Sequence, residues 1–223
     1  MIHMRYIVAN WKMSLDLSQI VTWLNIFYKL TPIIPVDKTV ILAPSTPYLG
    51  LLAELTRNKR TNLQLAAQNV SLLEKGAHTG ESGAFQIKDF CKYCIVGHSE
   101  LREPFEVSLE KRDVCIANAL TPIVCFVRAE QGTSAYKDGS ILTWEDPRNI
   151  SSNGKYRAMP EEELKNGISK IKRAAPKEAV LIYGGSVNRQ NIEKLAKITQ
   201  LNGVLVGNAS LDPAHFAEVV AKF

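Results

Sequence analysis

The sequence predicts an α/β chain closed into a (β/α)8 barrel. Three observations predict it. Short apolar runs alternate with longer amphipathic ones almost from end to end, eight such runs can be placed, and polar, chemistry-bearing residues follow several of them at the same end. Strict alternation of strand and helix means parallel pairing with helical crossovers, and eight such units close naturally on themselves. A doubly wound open sheet is the competitor. It usually uses fewer strands at this length, and neither a Gly-x-Gly-x-x-Gly turn after the first run nor a Walker-type loop is present.

The strands are expected at 6–9, 39–43, 63–67, 93–96, 123–127, 141–144, 179–183 and 203–206. Each is a short apolar run, as strands buried on both faces are. Helical periodicity falls at 17–30, 48–57, 85–90, 105–119, 161–174, 188–197 and 213–222. Pro47, Pro104 and Pro160 stand at or just before the first turn of three of these, where a missing N–H is harmless. The count is one helix short. Only Arg128 to Gly139 separates the fifth and sixth strands, a span that barely suffices for a crossover. The helix between strands 5 and 6 is therefore expected to be largely missing. Its loss would uncover outward-facing apolar residues of both strands, so a neighbouring subunit or a refolded segment is expected to cover them.

Composition bounds the function. The chain has 223 residues, 46% hydrophobic and 22% charged, with no Ser-, Pro- or Gly-rich linker, so residues 1–223 read as one domain. Lys and Arg number 27 against 22 Asp and Glu, and the excess of +5 is spread through mixed-sign stretches. That argues against a nucleic-acid surface and suits a small anionic substrate. No apolar run approaches the roughly 18 residues of a membrane span. The first residues lack a secretory h-region, and the cytoplasm is the default expectation. Cys91, Cys94, Cys115 and Cys125 read as buried thiols, with no second ligand pair to suggest a metal.

In a barrel, chemistry sits at the C-terminal ends of the strands. The first run ends in Asn10-Trp11-Lys12-Met13, the fourth in Gly97-His98-Ser99-Glu100, the sixth in Trp144-Glu145, the seventh in Gly184-Gly185-Ser186 and the eighth in Gly207-Asn208-Ala209-Ser210. Alone, a Lys or Glu at a strand end is more often a solvated rim charge, and a glycine pair more often a plain turn. Together they place a general base, an electrophile and a phosphate cradle on one rim.

These stretches, with Ala67-Gln68-Asn69 and Gly76-Ala77-His78-Thr79-Gly80-Glu81, resemble the triosephosphate isomerase family, in family order over nearly the whole chain. The resemblance implies a TIM barrel that interconverts dihydroxyacetone phosphate and D-glyceraldehyde 3-phosphate by proton transfer, without cofactor or metal. It implies Glu145 as the base and His98 as the neutral electrophile, a pairing for which this family is the usual worked example. The helical turn starting near Ser99 would keep His98 neutral. Lys12 would supply fixed positive charge, with Asn10 as a hydrogen-bond donor beside it, and Glu100 would hold the Lys12 ammonium. Ser186, Gly185, Gly207, Asn208 and Ser151 would bind the phosphate. Thr79 would sit on an arm reaching a partner subunit, so a homodimer or higher homo-oligomer is expected.

The sequence also departs from its relatives. Asp146 intervenes between Glu145 and the following Pro147, which puts a second carboxylate beside the base in a loop, 147–154, that would close less tightly. Asn208 replaces a usual glycine, and a left-handed, somewhat strained backbone is expected there. Leu101 stands where relatives carry Arg. Two other functions compete with the isomerase: a Schiff-base aldolase using Lys12, and a non-catalytic or different phosphate-binding barrel with an altered loop.

Overall fold

The computed structural model describes residues 4–57, 62–149 and 157–223. Among them eight parallel strands close a barrel in sequence order, β1 pairing with both β2 and β8. The strands are β1 (Arg5–Asn10), β2 (Lys38–Ala43), β3 (Leu63–Ala67), β4 (Tyr93–Val96), β5 (Thr121–Phe126), β6 (Ile141–Trp144), β7 (Val180–Tyr183) and β8 (Gly203–Val206). Between and after them lie α1 (Leu17–Leu30), α2 (Thr46–Thr56), α3 (Ala84–Ile87), α4 (Phe105–Ala117), α5 (Gly132–Ala135), α6 (Glu161–Ala174), α7 (Ile192–Ala196) and α8 (Pro213–Lys222).

Alternation along each strand sorts the buried side chains into two layers. Val8, Ile41, Ile95, Ile123, Cys125, Ile141, Ile182 and Leu205 fill the barrel interior. The outward residues between them, such as Ile7, Val40, Val96, Val124, Leu142 and Val204, pack under the helices. The helices answer with one apolar face. In α1 this is Ile20, Trp23, Leu24 and Phe27, at the spacing of a single helical stripe, and the helix starts at a capping box in which Asp16 and Gln19 each bind the other's backbone N–H at 2.9 Å. Asp212 caps α8 in the same way, accepting from Ala214 N and His215 N.

Where elements differ from the sequence reading, side-chain chemistry explains it. The sixth helical segment is expected from 188, but the corresponding helix, α7, begins at Ile192, because Asn188 Oδ1 accepts from Gln190 N and Asn191 N, turning the chain before a helix can start. Ala119 takes a left-handed backbone (φ 61°), which ends α4 at Ala117.

The fifth crossover is reduced to a 3₁₀ turn, Ala129–Gln131, followed by the four-residue α5. This refolded segment covers part of the outer face of β5 and β6. Gly132 approaches both Ile171 of α6 and Phe126 so closely that an added Cβ would lie 2.9 Å from the Ile171 side chain. Arg112 of α4 donates to the carbonyls of Ser134 and Ala135, satisfying the end of the short helix. The Trp144 ring spreads under α6 against Gly167, with its Nε1 donating to Val127 O at 3.0 Å.

Closure depends on Gly203. It pairs with Tyr6 on one side and Ile182 on the other, and a Cβ there would stand 2.0 Å from Tyr6 O. Backbone of a central strand cannot give way as a side-chain tip can. Gly203→Ala is therefore expected to cost about 2–4 kcal/mol, lowering the melting temperature by about 5–10 °C; an unchanged melting temperature would contradict this account of the seam.

Candidate active site

The C-terminal rim gathers Asn10, Lys12, His98 and Glu145 from the ends of three strands, β1, β4 and β6. Asn10 closes β1 and is buried, its Oδ1 accepting from the Lys12 N–H at 3.0 Å. That leaves its amide NH₂ as the group able to donate. Lys12 sits two residues beyond the strand with a left-handed backbone (φ 52°), a strained conformation for a non-glycine residue. Its carbonyl is held by Ser45 Oγ at 2.7 Å and Gln68 Nε2 at 2.9 Å, and Gln68 also donates to Ala43 O. The backbone is thus fixed from β2 and β3. Lys12 Nζ meets Glu100 Oε1 at 2.6 Å, and its side chain lies over Gly207, where an added Cβ would be 3.6 Å from Nζ.

His98 follows β4 through Gly97, whose left-handed φ of 71° and contact with Ser108 leave no room for a side chain. The imidazole is buried. Nδ1 accepts the Glu100 N–H at 3.2 Å, so the ring proton belongs on Nε2, which lies 3.3 Å from Glu145 Oε1 without the alignment of a hydrogen bond. The helical turn expected near Ser99 is a three-residue 3₁₀ turn, Ser99–Leu101.

Glu145 is 1% exposed. Oε2 accepts the Ser99 N–H at 3.2 Å, whereas Oε1 is buried without a hydrogen-bond partner. A buried carboxylate oxygen left unpaired is costly and marks a site held ready for a ligand. From β5 the Cys125 thiol faces the same carboxylate. Burial and then the Glu145 charge and hydrogen bond push that thiol well above its usual range, so it stands beside the base as a protonated SH. Gly184 is where the β7 chain passes the base: an added Cβ would lie 2.8 Å from Glu145 Cγ.

The glycine turns are close by. Gly185 stacks on Tyr183, where a Cβ would collide with the hydroxyl at 2.1 Å. Ser186 is buried; its N–H donates to Asn149 O at 2.7 Å and its Oγ accepts from Arg157 N at 3.0 Å. Asn208 is exposed and opens a 3₁₀ turn, Asn208–Ser210, with no left-handed backbone, so the strain expected there is absent. Thr79 is exposed on the loop after β3, and Ser151 lies outside the described residues. The carboxylate of Asp146, expected to crowd the base, is instead taken up by Arg148.

Sequence reasoning missed four residues here. Gln68 stood in a matching stretch but received no role, Ser45 and Arg148 were not singled out, and Cys125 was read as a buried thiol, which it is, without a place beside Glu145. Only Cys125 carried a usable signal, alternating inward on its strand two residues after Ile123.

A sequence model of the family described as triosephosphate isomerase matches residues 5–145 and 149–223. Similar proteins include the triosephosphate isomerase of Synechococcus sp. (strain CC9311), 31% identical with 96% of each chain covered. Those of Buchnera aphidicola (30% identical, covering 96% of this chain and 95% of that one) and Aquifex aeolicus (29%, covering 98% and 99%) are alike. A closed eight-stranded barrel, a His–Glu pair on its C-terminal rim and a family match over almost the whole chain agree: this chain belongs to the triosephosphate isomerase family.

Proposed function

We propose that the chain catalyses the interconversion of dihydroxyacetone phosphate and D-glyceraldehyde 3-phosphate. The observation that carries this reading is the buried, unpartnered Oε1 of Glu145, set 3.3 Å from His98 Nε2 and on the same rim as Lys12. Glu145 takes the proton from the carbon beside the carbonyl and returns it to the neighbouring carbon. His98, donating from Nε2, polarises the carbonyl and then the second oxygen of the enediolate. The Lys12 ammonium, with the Asn10 amide, stabilises the charge that develops on those oxygens. Glu100 and Ser99 support them, one pairing with Lys12 and the other holding Oε2 of the base.

The phosphate is proposed to lie against the Gly207 and Asn208 backbone beside Lys12, with Gly185 and Ser186 on its other side and Ser151 as a further contact. Ser186 N–H reaches it on exchanging its bond to Asn149 O. None of these steps calls for a cofactor or metal. The test is formation of dihydroxyacetone phosphate from glyceraldehyde 3-phosphate in a coupled assay. Turnover supports the reading, and phosphate-ligand binding without turnover would overturn it in favour of a barrel that only binds.

We further propose a cytoplasmic homo-oligomer. Among the described residues no helix is long and apolar enough to cross a membrane. Met13, Leu73, Phe85 and Leu101 are exposed, Leu73 and Phe85 flanking in sequence the loop that carries Thr79, and exposed apolar side chains of this size favour burial against a second copy. Light scattering at micromolar concentration is expected to give at least twice the chain's 24.8 kDa; a clean monomer would contradict it.

A further inference from the structure

The family match breaks between residues 145 and 149, and that gap carries a fixed ion network. Arg148 binds Asp146 through both carboxylate oxygens, Nε at 3.0 Å from Oδ1 and Nη2 at 2.5 Å from Oδ2. Nη2 also reaches Glu163 Oε1, in the first turn of α6, at 2.8 Å. The backbone closes on the same residue: Arg148 N–H donates to the Asp146 carboxylate (Oδ1) at 2.9 Å, and Asn149 N–H to the Asp146 main-chain carbonyl at 2.8 Å, forming the 3₁₀ turn Pro147–Asn149. Asp146 is buried and peptide-bonded to Glu145, itself 1% exposed.

Two adjacent buried carboxylates disfavour each other's ionisation when they face one another, and the chain between the base and Asn149, whose carbonyl is held by Ser186 N–H, needs a fixed course. A bidentate guanidinium solves both problems, because it cancels one charge and fixes one geometry. We propose that the Asp146–Arg148–Glu163 network is a positioning device for the base: it anchors the peptide after Glu145 to α6 and screens the Asp146 charge from the Glu145 carboxylate. This rests on the reading of Glu145 as the base. Consistent with it, the Arg148 guanidinium holds the Asp146 carboxyl below its usual range.

The other groups around the pair are accounted for. His98 and Ser99 N–H face Glu145 from the end of β4, with Glu100 and Lys12 paired beyond them, and the protonated Cys125 faces it from β5. Tyr183 of β7 feels Asp146 and Glu163, and burial with those charges pushes its phenol up. Arg148 is the cation that binds the Asp146 carboxylate among the described residues.

The test is the pH dependence of kcat/KM, with kcat and KM separated, in R148M, R148K and the double variant D146N/R148M. Arg148 is 73% exposed, so its replacements are expected to fold. In R148M the acid limb is expected to move up by about one pH unit, and kcat at its plateau to fall roughly tenfold with KM within twofold. R148K keeps the charge and is expected to restore the limb and part of kcat. The double variant removes both charges and is expected to restore the limb but not kcat. Should R148M fail to fold, Glu163→Gln, which leaves Asp146–Arg148 intact, is expected to lower kcat about threefold through lost anchoring. Unchanged kcat and acid limb in these folded variants would overturn the proposal. Wild-type activity in Glu145→Gln would instead overturn the reading of the base.

Discussion

Glu145→Gln is expected to lower kcat by roughly 10²–10⁴-fold while KM stays within a fewfold. The amide keeps the size of the side chain and can still meet the Ser99 N–H through its oxygen, so the variant should bind substrate in the same pocket. What it loses is the ability to take a proton. The fold should not suffer, since the native carboxylate is 1% exposed and has one oxygen without a partner. Removing a buried charge in that setting is neutral or stabilising. Equal melting temperatures with a collapse of kcat would separate chemistry from stability. A parallel loss of both would show that Glu145 holds the barrel together and is no base.

Lys12→Met is the second large effect, an expected loss of about 10²–10³-fold in kcat with a rise in KM. The ammonium is fixed by Glu100 at 2.6 Å and lies over Gly207, so it touches both ends of the proposed substrate: the phosphate and the oxygens that gain charge during reaction. Methionine preserves the apolar stem and removes the charge. It inherits the same left-handed backbone, already held by Ser45 and Gln68, so no new strain arises. A change in KM alone would assign Lys12 to phosphate binding only. Inorganic phosphate inhibition, measured on the same preparation, checks that share: it should weaken in the variant.

The rim was legible because its residues are strand ends. Each strand of a parallel barrel is buried on both faces and so reads as an apolar run, and the first polar residue after it is already on the reactive face. His98 and Glu145 are found this way, and so is the α1 stripe, whose period admits one reading. The rest depends on contacts that sequence spacing does not encode. Gln68 and Ser45 act on the backbone of Lys12 from other strands, at separations of 56 and 33 residues. Cys125 looks like any core thiol until β6 sets Glu145 beside it. Arg148 and Asp146, two residues apart, resemble a solvated surface pair, and only the packing of α6 against them reveals a buried carboxylate with a cation fixed on it. Asn208 misled in the other direction: a family glycine suggested a left-handed turn, while the chain enters a 3₁₀ turn there without one.

The central claim is that Glu145 moves a carbon-bound proton between adjacent carbons. Proton NMR of glyceraldehyde 3-phosphate turned over in D₂O tests it most directly, run on the native chain and on Glu145→Gln. The account predicts isomerised product from the native chain, with the proton either carried over from the substrate or replaced by solvent deuterium at the carbon that receives it, and almost no product from the variant. Isomerisation at an equal rate in the two proteins would contradict it.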